Sequence, residues 1–161
     1  MSWPKFIPGP SGQPNPRAVL AEDCHAVRLR PDEAPPEQSL SVLREEGIAL
    51  LPGAPATGEA TDELAVYRLA PDGPRAVATG RVYIRFAGGA RAEAFRTALA
   101  EAGYLIESIP AWAPNTCWVT ATSASAADAL SRLDALSTLP NIAAVEPQLL
   151  LPREFKEPPA R

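Results

Sequence analysis

"GRVYIRFAGG", residues 80–89, alternates between apolar and polar side chains. Val82, Ile84 and Phe86 fall on one side of an extended chain, and Arg81, Tyr83 and Arg85 on the other. That is the period of two expected of a half-buried strand. The apolar side needs a cover, and the following residues supply one. "ARAEAFRTALAEAG", residues 90–103, is alanine-rich, carries Phe95, Ala98, Leu99 and Ala102 at helical spacing, and stops at Gly103.

The alternation then resumes. "YLIESIP" (104–110) reads as a strand and "AWAPN" (111–115) as a turn. "TCWVTA" (116–121) reads as a second strand, with Cys117, Val119 and Ala121 opposite Thr116, Trp118 and Thr120. "SASAADALSRLDALS" (123–137) predicts a helix with Ser123 or Ser125 as N-cap and Leu130, Leu133 and Leu136 inward. "NIAAVEP" (141–147) is the last strand. The order is βαββαβ, the split βαβ of a ferredoxin-like antiparallel sheet with two helices on one face. One sheet face is then left to Tyr83, Trp118, arginines and threonines. Aromatic side chains on an open face mark either a contact surface or a surface covered by the rest of the chain.

The first half reads as a smaller related module. "HAVRLRP" (25–31) alternates as a strand. "EQSLSVLREEG" (37–47) places Leu40 and Leu43 three apart ahead of Gly47, which predicts a helix. "IALLP" (48–52) and "LAVYRLA" (64–70) read as strands, and Pro71-Asp72-Gly73 as a turn. The predicted α+β organisation is a proline-rich arm at 1–22, a small βαββ module at 23–75, the ferredoxin-like domain at 80–152 and an extended tail at 153–161. Many of the 19 prolines lie in the first 16 residues, between 31 and 55, and in the last ten. Proline fixes φ and removes a donor, so these stretches are expected to be extended or looped.

Composition narrows the function. The net charge is −4 and Lys and Arg nowhere run together, which argues against a nucleic-acid backbone as partner. No apolar run approaches the roughly 20 residues that span a bilayer, and the opening residues lack a signal-peptide core, so no membrane is involved and the cytoplasm is the expected address. Cys24 and Cys117 read as a reduced pair of small core residues. No metal-ligand spacing exists around His25. Cys24 and His25 are adjacent, so on a strand they point apart and form no dyad. Gly88-Gly89 lacks the rest of a phosphate loop. Glu93, Glu101 and Asp128 read as solvated helix faces. No catalytic constellation and no cofactor site are therefore expected, and binding is the working class.

Four stretches together resemble the propeptides of subtilisin-like serine proteases: "VYIRFAGG", "LAEAGYLIESIPAWAPNTCWVTA", "AADALSRLDAL" and "LPNIAAVEPQ", covering about residues 80–152, under half of the chain. The first half more loosely resembles the extra module ahead of some bacterial members. The resemblance implies an inhibitor and folding chaperone of a subtilisin-like serine protease, acting in cis or in trans. Its sheet face, with Tyr83 and Trp118, would dock on two surface helices of the protease. Glu146 would cap a helix N-terminus there, and a carboxylate so placed gains about 0.3–1 kcal/mol. Gln148 stands where related propeptides carry a second acid, so that second cap lacks charge. Leu149, Leu150, Leu151 and Pro152 would enter the substrate cleft as an added strand lying outside the protein's own core. A tandem ferredoxin-like small-molecule-sensing regulatory module is the alternative reading.

Overall fold

The computed structural model describes residues 3–8, 17–55, 63–69 and 74–151. The protein is α+β, an open antiparallel sheet of nine strands with three short helices among the described residues. No helix there is long and apolar enough to cross a membrane.

The central element is β6, Arg75–Phe86. Its C-terminal half carries the alternation of the opening sequence, with Val82, Ile84 and Phe86 buried and Arg85 exposed. Three strands flank it: β7 (Tyr104–Ser108), β8 (Thr116–Ala121) and β9 (Ile142–Leu150). β9 and β8 lie on opposite edges of β6, and β7 pairs with the far edge of β8, all antiparallel. Between β6 and β7 the alanine-rich stretch makes a 3-10 turn, Ala92–Phe95, and then α1, Arg96–Glu101. The second helical stretch is broken into α2, Ala126–Ser131, and α3, Leu133–Ser137. Ser125 caps α2 by accepting from the Asp128 amide. Leu99, Leu130, Leu133 and Leu136 share one buried cluster with Val82, Ile84, Cys117 and Val119, so the helices cover the predicted face. The Tyr104 hydroxyl donates to the Ala129 carbonyl and ties β7 to α2.

The N-terminal half departs from expectation in two ways. Residues 37–47 form no helix. They give the short strand β3, Ser41–Leu43, and a turn closing at Gly47 (φ +66°) into β4, Ile48–Pro52. Leu40 is exposed while Leu43 is buried and pairs with Ile48, so the two leucines do not share a helix face. A hairpin that adds Ile48 and Leu50 to a shared apolar cluster outweighs the weak signal of two leucines three apart.

The first 22 residues are also not merely an arm. β1, Phe6–Pro8, pairs with the start of β2, Arg17–Arg28, which crosses the boundary expected at residue 22. Trp3 and Ile7 are buried, and the Tyr67 hydroxyl donates to the Pro4 carbonyl at 2.7 Å. A three-residue edge strand ending in proline sacrifices no interior ladder bond. The expected turn at Pro71-Asp72-Gly73 lies outside the described residues.

No linker separates the halves, because they share β6. β5, Glu63–Arg68, pairs with β6 at Arg75–Val77, and β8 takes over the same edge from Val82. The full order is β3-β4-β2-β5-β6-β8-β7. Between the two pairings β6 advances four residues (Ala78 to Val82) while β9 advances two (Leu149 to Pro147), so β6 bulges there. Leu64, Val66 and Val77 enter one apolar cluster, and Ala65, Tyr67 and Ala78 the other, so the junction is buried on both faces.

Candidate functional site

The face of β9-β6-β8-β7 opposite the helices carries the candidate site. Cross-strand pairing puts four side-chain positions in one row: Glu146, Tyr83, Trp118 and Ser108. The Tyr83 and Trp118 rings lie 5.3 Å apart and tilted by 58°. The Arg81 guanidinium stacks 4.6 Å from the Trp118 ring centre and forms a 2.8 Å ion pair with Glu107 of β7. Each link is modest, about 0.5–1.5 kcal/mol for the aromatic pair and up to about 1 kcal/mol for the exposed ion pair. Their joint effect is to hold one conformation of the aromatic floor. Leu105 stands half exposed beside it, opposite Thr120, and Arg85 is exposed next to Thr116.

Glu146 pairs with Tyr83 across the strands, in the middle of β9 and not at its end. β9 continues through the buried Pro147 because the N-terminal half of β6 still offers a free edge. Proline is tolerated in β9, which among the described residues pairs only with β6 and meets it at the bulge. Gln148 is committed locally, its Oε1 accepting from the Thr79 hydroxyl of the bulge at 2.8 Å. Leu149 and Leu150 pair with Ala78 and Val77 and pack on the two apolar clusters. They are part of the protein's own sheet, which corrects the expectation of a free ribbon beginning at Leu149. Leu151 is half exposed, and Pro152 lies outside the described residues.

Arg81 and Arg85 share this face, as strand parity placed them, and Leu105 and Glu107 of β7, whose faces the sequence left unassigned, join them. Asp128 was read as solvated, yet it is buried, accepting from Ser123 Oγ at 2.8 Å and Arg132 Nε at 2.7 Å. These hydrogen bonds, that of Arg132 first, hold its carboxyl below the ordinary value.

A second recess lies where β5 and β8 part along β6. It encloses about 460 Å³ and is lined by both halves, including Arg28, Thr79, Gly80, Thr120 and Ala126. Arg28 donates there to the Thr79 carbonyl at 3.2 Å.

Both cysteines are buried and free, and burial pushes their thiols up, that of Cys117 to about 11. Both thiols are therefore protonated at neutral pH. His25 lies on the other face of β2 from Cys24, with Nδ1 2.9 Å from the Gly53 carbonyl oxygen. No group of three metal-ligating side chains occurs among the described residues.

No family model, curated protein or solved structure matches this chain.

Proposed function

We propose that the chain is a propeptide-like inhibitor and folding chaperone of a subtilisin-like serine protease, docking through the face of Tyr83, Trp118 and Glu146. The observation that carries this reading is the pre-assembled aromatic pair in register with Glu146, on a sheet face opposite the helices. An aromatic floor with a polar rim is the composition of a protein-binding patch. The β9-β6-β8-β7 order supports a ferredoxin-like module for residues 80–152. Because Leu149 and Leu150 belong to β9, the segment entering the cleft starts no earlier than Leu151. A cytoplasmic protein of this kind would act on an intracellular protease.

The test is residual peptidase activity of a subtilisin-like protease with and without the protein, together with recovery of active protease after denaturation. Inhibition that Trp118→Ala weakens at unchanged fold supports the reading. Absence of both inhibition and assisted refolding removes it. The alternative, a small-molecule-sensing module, draws on the recess between the halves. A rise in melting temperature with a free amino acid would favour it.

A further inference from the structure

Two of the four charges named on the open face are compensated within the chain, since Arg81 pairs with Glu107. Arg85 and Glu146 differ. Neither side chain has an ion-pair or hydrogen-bond partner among the described residues. Their placement is reciprocal. Tyr83 pairs with Glu146 and Arg85 with Ala144, so Arg85 and Glu146 are diagonal neighbours on two antiparallel strands, with Cα atoms about 7–8 Å apart.

We propose that this face is a self-association surface and that its occupant is a second copy of the chain. A two-fold axis in the interface plane, bisecting the diagonal from Arg85 to Glu146, sets Arg85 of each chain opposite Glu146 of the other. Both uncompensated charges are satisfied by one symmetric operation, the isologous arrangement of a C2 dimer. Tyr83 and Ala144 occupy the other diagonal, close to that axis, so the Tyr83 rings of the two copies meet. Trp118 and the half-exposed Leu105 add apolar area on the same face. The dimer goes beyond the inhibitor reading and competes with it, because it covers the face that the protease would take. The free protein would store that face and release it on binding.

The experiment is sedimentation velocity of the full chain from micromolar to millimolar concentration, with Arg85→Glu, Glu146→Arg and the double swap. A reversible dimer in the wild type is expected. Each single swap turns two attractive pairs into two repulsive ones and weakens association by about a hundredfold. The double swap restores it. Added salt weakens the wild-type dimer, a readout that needs no variant. A wild type that is monomeric at millimolar concentration overturns the proposal. So do single swaps that dimerise like the wild type, or a folded double swap that stays monomeric. A monomeric wild type that still inhibits a protease overturns the dimer alone, whereas a dimer that inhibits none overturns only the inhibitor reading.

Discussion

A methyl group placed on Gly80 would sit 2.7 Å from the Cβ of Ala126, the first residue of α2. Gly80 also holds φ at +90° in the bulge of β6. One residue thus meets two demands, a left-handed backbone and a helix start pressed against the strand. Gly80→Ala is expected to cost about 3 kcal/mol, from the φ penalty and overpacking together. Denaturant unfolding measures it, and an unchanged midpoint would contradict this account of the bulge.

The turn into α2 holds a residue with the opposite problem. Ala124 is exposed and adopts φ +63° without the side-chain hydrogen bonds that let Asn or Asp tolerate that region. Ala124→Gly is expected to stabilise by about 0.5 kcal/mol, because relief of strain exceeds the added freedom of the unfolded chain. Thermal unfolding of the variant beside the wild type gives the sign.

Asp128 makes stability depend on acid. Its folded carboxyl lies below the ordinary value, so the group binds its proton less tightly folded than unfolded. Its contribution is present above the unfolded pKa of about 4 and is lost as pH falls through the lower folded value. Asp128→Asn should lower stability at neutral pH and flatten the acid limb of the stability curve. A parallel limb in the variant would show that Asp128 contributes nothing to it.

Two truncations test where the sheet ends. Truncation after Leu151 leaves β9 whole and, under the proposed function, should weaken protease inhibition. Truncation after Gln148 removes Leu149 and Leu150 from their pairing with β6 and should cost about 2 kcal/mol through lost apolar burial. Equal melting temperatures for the two truncated proteins would show that the end of β9 is dispensable.

Where one segment carried several periods of one pattern, the residues alone were enough. β8 matches its reading of 116–121, the strand read at 80–89 is the C-terminal half of a β6 that begins at Arg75, and the single helix read over 123–137 is broken at Arg132 into α2 and α3. The region 37–47 carried two leucines and a glycine, too little to choose between a helix turn and a hairpin. Pairing of Leu43 with Ile48 decided it.

The candidate site divides in the same way. Tyr83 and Trp118 could be assigned to one face from strand parity, because alternation of side chains is a local property of an extended backbone. Parity says nothing of which strands are neighbours. That Arg81 lies over Trp118, that Arg85 and Glu146 sit on one diagonal, and that Asp128 is buried all follow from how β7, β9 and α2 pack around β6.

The end of β9 shows the limit most plainly. Val145-Glu146-Pro147 read as a strand terminus because proline lacks a donor, and the leucines after it read as a free tail. The strand continues because β6 begins at Arg75 and its edge beside Val77 and Ala78 is open to Leu150 and Leu149. Local chemistry in the chain thus set the alternation of side chains in the strongly patterned segments, and not the state of 37–47 or the end of β9. Strand partnership and burial at the junction of the halves were set by the tertiary structure, since they depend on pairings between residues of different segments, such as Val77 with both Val66 and Leu150.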